Sequence, residues 1–182
     1  FLRNAEAAAK VLPADDRADA EEWVDLYNRI GRTQLAAGFG RDAMLTRNQG
    51  LEIARTSGDA QLMIDTLTFS DTPTPWLNRR YGALDAAVVE QIESLLRIPD
   101  LDVAARCRLL TALVEEVIGE DSDRCAAAAR EAERLARHTD DGRLIGLASN
   151  ALYSAGILAS PVTGRSVGDE LIDVGDRCNA PV

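Results

Sequence analysis

Two stretches of this chain share one pattern, and the pattern restricts the folds open to it. The first reads Arg-Thr-Ser-Gly-Asp-Ala-Gln-Leu-Met over 55–63, and the second reads Arg-His-Thr-Asp-Asp-Gly-Arg-Leu-Ile over 137–145. Three residues recur at one offset of 82 (136 − 54 = 82): Ala54 as Ala136, Asp59 as Asp141 and Leu62 as Leu144. This offset is close to two periods of about 41, a repeat length typical of stacked helix pairs. The sequence therefore predicts an all-α fold, a tetratricopeptide-like helix-pair solenoid.

Apolar residues at helical spacing, separated by Gly, Pro and Asp turns, divide the chain into helices. We predict an incoming helix at 1–12 and then four helix pairs, in which the first helix of each pair lines a concave face. The eight predicted helices span 21–37, 43–56, 60–67, 78–97, 103–118, 124–138, 143–158 and 167–178. Gly58 is predicted to end a helix, and Asp42, Asp59 and Asn78 to cap the helices that follow them.

Composition excludes several functional classes. The formal net charge of −10 over 182 residues argues against binding to nucleic-acid phosphates. No apolar run approaches the roughly 20 residues that a membrane helix needs, and no signal peptide is visible. Three widely spaced cysteines favour neither a disulfide framework nor a zinc site. We expect a cytoplasmic protein, and we interpret 1–182 as a single repeat domain cut from a longer multidomain protein.

Catalytic chemistry is not indicated by the sequence. His138, the single histidine, has no nucleophile or metal partner at a recognisable spacing. Cys107 and Cys125 fall on or near alanine-rich faces and are expected to be buried small residues. Acid clusters fall in turns, where helix capping accounts for them. We therefore expect no enzyme, no catalytic residue, no metal ligand and no cofactor.

One stretch is not required by the helical period. Thr72-Pro-Thr-Pro-Trp76 cannot be regular helix, and an amide, two guanidinium groups and a phenol follow directly. The stretch either fills the space beside a short helix, with Asn78 as a cap, or forms part of a ligand or partner site. Two tyrosines and two asparagines on predicted first helices are further candidates; the alternative is that they are ordinary polar side chains on a solenoid face. The candidate binding residues are Trp76, Asn78, Arg79, Arg80 and Tyr81, together with Tyr27 (beside Asn28), Asn150 and Tyr153.

The segment Thr74-Pro-Trp-Leu-Asn-Arg-Arg-Tyr-Gly82, with the repeat endings and the alanine-rich helix pairs, carries a family resemblance. From about residue 20 onward the chain resembles the C-terminal helical region of large actinobacterial transcriptional regulators, the AfsR-like members of the SARP (antibiotic regulatory protein) family. The resemblance implies a tetratricopeptide-like sensor or regulatory region. It also implies that DNA binding and nucleotide switching belong to other domains of a longer protein.

The sequence leaves three functions open. The first is a regulatory module of a transcriptional regulator of secondary metabolism, binding a small effector or a protein partner in its concave face. The alternatives are a protein–protein interaction scaffold of the adaptor or co-chaperone type, and a self-association module that forms a homo-oligomer. In each case contact with DNA would come only through another domain, and no membrane is involved.

Overall fold

The computed structural model describes residues 17–70 and 84–159, together with positions 169 and 172. Secondary structure within this part of the chain is helical, with no strand, and the all-α prediction is confirmed. The seven helices of the two ranges are α1 (Arg17–Ala36), α2 (Gly40–Ser57), α3 (Ala60–Leu67), α4 (Ala86–Leu96), α5 (Val103–Val117), α6 (Ser122–Ala136) and α7 (Gly142–Ala159). The predicted helix at 1–12, and all but two positions of the one at 167–178, lie outside the described residues.

The chain divides into two compact units, Phe1–Ser70 (unit 1) and Asp71–Val182 (unit 2). Helices α1 to α3 belong to unit 1 and helices α4 to α7 to unit 2. The prediction that the whole chain forms one repeat domain stays a prediction. Within the described ranges, no helix combines the length and the apolar character needed to cross a bilayer.

Aspartates begin most of these helices. A carboxylate at the N-cap accepts hydrogen bonds from backbone N–H groups that have no partner inside the helix. Asp59 does this for α3 by accepting from Gln61 N at 2.8 Å, which confirms the predicted cap. The same role at α4, α5, α6 and α7 is taken by Asp85, Asp102, Asp121 and Asp141.

Unit 1 is a helical hairpin with a third helix packed on it. The α1–α2 turn passes through Gly38, whose φ of 81° suits a residue without a side chain. Gly58 ends α2 in the left-handed conformation, as predicted. Helix α3 contacts both α1 and α2. A buried cluster joins the three helices and comprises Ala20, Val24, Ala54 and Leu62, with Ile53 and Met63 partly buried against it.

Unit 2 packs α5 at its centre, in contact with α4, α6 and α7, and α6 also packs on α7. Its interior is formed by branched aliphatic residues and alanines, among them Ile92, Leu109, Val114, Ala129 and Leu144. Arg106 of α5 donates to the carbonyl oxygens of Leu96 and Ile98, both at 2.9 Å, and so fixes the C-terminal end of α4. Arg124 of α6 forms an ion pair with Glu93 of α4.

Three of the predicted helix starts are wrong. Helix α1 includes Arg17, four residues before the predicted start at about Glu21. Helix α4 begins at Ala86, with Asp85 as its cap, and not near Asn78; Leu84 precedes the cap and is 42 % exposed. The error arose because Leu84 fits the apolar spacing of Val88 and Ile92, and that spacing continues across the cap. Helix α2 begins at Gly40 rather than after Asp42, and its N-cap residue Phe39 makes no side-chain hydrogen bond.

Candidate functional site

The α2–α3 and α6–α7 junctions are built in the same way by side-chain hydroxyls. Ser57 Oγ donates to Ala54 O at 2.8 Å, and Thr139 Oγ1 donates to Ala136 O at 2.7 Å. The backbone N–H two residues further on then donates back to each hydroxyl, at 3.3 Å and 3.4 Å respectively. Both pairs of positions are 82 residues apart, so the sequence repeat corresponds to a repeated hydrogen-bond arrangement.

The carboxylates of the two junctions repeat as well. Asp59 accepts from the N–H groups two and three residues ahead, at 2.8 Å and 3.4 Å. Asp141 accepts from the corresponding groups at 3.0 Å and 3.1 Å. The leucine after each cap is buried, Leu62 at 8 % and Leu144 at 2 % exposure. Each junction therefore places a capped helix start and a buried leucine in the same local geometry.

The predicted site residues divide into three groups. Trp76, Asn78, Arg79, Arg80 and Tyr81 lie outside the described residues, so their role stays a prediction. Asn150 and Tyr153 lie on α7 and are half-buried. Tyr27, a candidate for such a face that also falls on the apolar stripe of α1, is only 6 % exposed, and burial raises the pKa of its phenol.

Tyr27 is buried because α2 offers a glycine opposite it. A Cβ added at Gly50 would lie 3.1 Å from Tyr27 Cβ, tighter than nine in ten contacts of real Cβ atoms. The ring also packs near Trp23, with the two ring centroids 6.5 Å apart. The sequence pattern shows Tyr27 on the apolar stripe of α1, but its glycine partner is 23 residues away and has no local signal.

A second contact surface of α1 faces α3 and holds a polar arrangement, which we call the α1–α3 seam. Asn28 Nδ2 donates to Asp65 O at 3.3 Å, and one turn later Arg32 Nη1 donates to Phe69 O at 3.3 Å. Between them, a Cβ added at Gly31 would lie 2.7 Å from the Phe69 ring, so the ring rests directly on the α1 backbone. The seam is defined by these five residues.

The interior of unit 1 is polar beyond this seam. Arg47 of α2 is 7 % exposed, and its guanidinium donates to Asn48 Oδ1 through Nε and Nη2, at 3.2 Å and 3.1 Å. Gln34, Thr46 and Thr66 are buried as well. Thr66 Oγ1 donates to Leu62 O, one turn back in α3, at 2.7 Å. Buried polar residues of this kind define a specific interior more than they stabilise it.

The two cysteines of unit 2 that the structure describes, Cys107 and Cys125, are in unreactive settings. Burial, opposed by Arg108 and assisted by Asp141, raises the pKa of the Cys107 thiol to about 11. Burial and the Asp121 carboxylate raise the pKa of the Cys125 thiol to about 11. Thiols with such values carry little thiolate at neutral pH and are poor nucleophiles. Within the described residues, no three His, Cys, Asp or Glu side chains are grouped as metal ligands.

Comparison with protein-family models, with curated proteins and with solved structures finds no match to this chain. The candidate sites are therefore defined by the geometry alone: the α1–α3 seam in unit 1, and Asn150 with Tyr153 on α7 in unit 2. Sequence reasoning selected the second pair but missed Arg32. The spacing of Asn28 and Arg32, four residues apart on one helix, becomes a signal only when α3 is known to end beside them.

Proposed function

We propose that this chain is a tetratricopeptide-like array of helix pairs that acts as the regulatory or sensor module of a multidomain transcriptional regulator of secondary metabolism. In this proposal the module binds a small effector or a protein partner, and its other domains contact DNA. The observation that carries it is the junction that recurs at an offset of 82 with the same hydroxyl and carboxylate hydrogen bonds. Helix-pair arrays of this kind present extended binding surfaces.

The resemblance of the segment around Trp76 to AfsR-like regulators supports the regulatory role. Half-buried Asn150 and Tyr153 on α7 support a recognition surface, since a phenol and an amide combine contact area with hydrogen bonding. A ligand can transmit a signal only by binding one arrangement of the array more tightly than another. A protein of this type works in the cytoplasm, where the biosynthetic intermediates that it would sense are made.

Thermal unfolding against a panel of biosynthetic intermediates tests this proposal. A ligand at 100 times its dissociation constant adds about 2.7 kcal/mol of stability, enough to raise the melting midpoint clearly. We expect at least one compound to raise the midpoint of the wild type, and to raise it less in Trp76→Ala or Tyr153→Ala. The exposed Arg130→Ala on α6 serves as the control that keeps the full response. An unchanged midpoint with every compound contradicts the small-molecule form of the proposal.

A protein partner or a second copy is the competing role, and one observation in unit 1 favours it. Phe39 in the α1–α2 turn is 55 % exposed, and Leu45 on α2 is 58 % exposed. A protein partner or a second copy would cover these apolar side chains. Sedimentation equilibrium separates the two roles: a self-association module dimerises in the wild type and dissociates in Phe39→Asp, whereas a sensor shows the same mass in both.

A further inference from the structure

The two repeated junctions differ at the residue that follows the capping carboxylate. Asp59 is followed by Ala60, whereas Asp141, 82 residues further along the chain, is followed by Gly142. Asp141–Gly142 is the one Asp–Gly pair in the 182-residue sequence. Glycine has no side chain to shield its backbone nitrogen, so a preceding aspartyl carboxyl group reaches that nitrogen more easily than it reaches the nitrogen of any other residue.

The five aspartates that cap α3 to α7 form a series in which the helix position is constant and the following residue varies. That residue is alanine at α3 and α4, valine at α5, serine at α6 and glycine at α7. A β-branched valine hinders attack on its backbone nitrogen most, and glycine hinders it least. Among the five caps, the one at α7 is therefore the most open to reaction between its own carboxyl group and the next backbone nitrogen.

The first turn of α7 is also held less firmly than the first turn of α3. Gly142 and Gly146 lie one turn apart in α7, at the positions that Ala60 and Ile64 hold in α3. Glycine inside a helix is less favourable than alanine because its unfolded backbone is freer. A Cβ added at Gly146 would meet nothing within 4 Å beyond its own helix backbone, so packing in the described part of the chain does not require a glycine there. In α3 the corresponding Ile64 is buried and anchors its turn.

Opening of this turn is what brings the reacting atoms together. In the folded junction, Asp141 Oδ1 accepts from Arg143 N at 3.0 Å and from Leu144 N at 3.1 Å. The N–H of Gly142, the first residue of the helix, has no acceptor within the helix. Asp141 is exposed and Gly142 is half-buried, so water reaches the junction. The carboxyl group can turn towards the Gly142 nitrogen once its two hydrogen bonds break, and local opening of a helix end needs far less free energy than global unfolding.

We propose that Asp141 is a site of spontaneous covalent modification, at which the chain converts to isoaspartate. The Gly142 nitrogen attacks Cγ of the Asp141 carboxylic acid and loses its proton. An N–Cγ bond forms, a Cγ–O bond breaks and water leaves, which gives a cyclic imide, the succinimide. Water then opens the ring. Opening at Cγ restores aspartate, whereas opening at the main-chain carbonyl carbon of Asp141 breaks its bond to the Gly142 nitrogen and gives isoaspartate, an isomer of the starting chain.

Isoaspartate removes the cap of α7. The main chain then runs through Cβ and Cγ, and the free carboxylate moves to Cα, out of position for the N–H groups of Arg143 and Leu144. The affected helix carries Asn150 and Tyr153, so the modification weakens the candidate site of unit 2 while the α2–α3 junction stays intact. This inference goes beyond the proposed recognition function and does not rest on it.

The test is ageing of the full 182-residue chain at neutral pH and physiological temperature. Tryptic digestion then releases the peptide 138–143, which contains Asp141, and fragment-ion mass spectrometry distinguishes isoaspartate from aspartate. We expect isoaspartate to accumulate at Asp141 faster than at every other capping aspartate, with Asp121 second and Asp102 last. This order follows the size of the residue after each cap.

Reciprocal variants exchange the two junctions. Gly142→Ala gives the α6–α7 junction the alanine of the other junction, so isoaspartate at Asp141 should fall to the level at Asp59. Ala60→Gly should raise the level at Asp59. Gly146→Ala keeps the Asp–Gly pair but strengthens the turn, so it should slow the conversion without stopping it. In urea unfolding, aged wild type should lose stability in proportion to the converted fraction, and aged Gly142→Ala should keep its initial stability.

Three results overturn the inference. The first is a folded chain that keeps aspartate at Asp141 while a synthetic peptide of residues 137–145 converts under the same conditions. The second is an equal level of isoaspartate at Asp59 and Asp141 in the wild type. The third is a Gly142→Ala variant, shown to be folded by circular dichroism, that converts as fast as the wild type. None of these results changes the sensor proposal, which the panel of biosynthetic intermediates tests separately.

Discussion

Unit 1 and unit 2 each contain the same kind of turn between two helices, but they differ in the residues that they bury. The α2–α3 and α6–α7 turns have the same hydroxyl and carboxylate bonds, so the repeat is conserved where helices begin and end. Within the described ranges, unit 1 buries five polar or charged residues on three helices, and unit 2 buries three on four helices. Among the described residues, the two buried side-chain acceptors with no hydrogen-bond donor from the protein are both in unit 1. The two junctions are therefore alike, while the interiors of the two units differ.

The largest expected effect compares the two cores. Leu51 in unit 1 and Leu109 in unit 2 are 1 % and 0 % exposed. Truncation of either residue to alanine should cost about 2–5 kcal/mol, from lost transfer energy and the cavity left behind. Urea unfolding of the two variants measures it. If the polar interior of unit 1 is the more adaptable, Leu51→Ala falls at the lower end of the range, and a larger loss there than in Leu109→Ala would count against that view.

Alkaline pH should act on unit 2 through its thiols. Cys107 and Cys125 keep their protons to about pH 11 when folded, against an ordinary value of 9.0. The folded state therefore binds more protons than the unfolded chain between these values, and stability should fall as pH rises through this window. By pH 11, deprotonation of each thiol should lower the free energy of unfolding by on the order of 2 kcal/mol.

The measurement for this effect is urea unfolding at several pH values from 8 to about 11. The double variant Cys107→Ala/Cys125→Ala should show a shallower decline than the wild type. Tyr27, whose phenol pKa is raised by burial, adds a decline in the same direction from unit 1 at higher pH. Tyr27→Phe isolates that contribution. Identical slopes in the wild type and the double cysteine variant would refute the assignment to the thiols.

The smallest effect compares exposed ion pairs. Arg134 donates to both carboxylate oxygens of Glu131, at 2.8 Å and 2.7 Å, and this bond lowers the pKa of the Glu131 carboxyl. Because the pKa of Glu131 is lowered in the folded state, the ion pair stabilises the fold at neutral pH, and this stability is lost as the pH falls through that pKa. Solvent screens exposed ion pairs, so removing one should leave the melting midpoint almost unchanged. The two variants are Arg134→Gln in unit 2 and Arg29→Gln in unit 1, which breaks the pair with Asp25. A clear drop in only one unit would show that its pair has a structural role.

Local signals in the sequence were sufficient for much of the fold. The Gly58 turn and the Asp59 cap follow from residue types at fixed offsets, and α3, α5 and α7 lie close to their predicted ranges. The start of α4 was mistaken because an apolar residue at helical spacing precedes Asp85. Periodicity cannot show where a helix begins when the stripe continues through the cap.

The candidate site was less predictable. Tyr27 has a polar tip that suits an open face, but Gly50 on α2 leaves room for the ring inside unit 1. Arg32 gives no sign in the sequence that it reaches a carbonyl 37 residues away. Such contacts depend on tertiary packing, whereas capping depends only on neighbours in the chain.

The central claim is that the two junctions are one structural element used twice, and the most direct test is a matched pair of cap variants. Asp59→Ala and Asp141→Ala each remove a carboxylate that accepts two backbone N–H bonds. The account predicts that both lose about 1 kcal/mol of unfolding free energy, and that Asp59→Asn and Asp141→Asn recover most of it. A loss at one junction and none at the other, measured by urea unfolding under the same conditions, would contradict the claim.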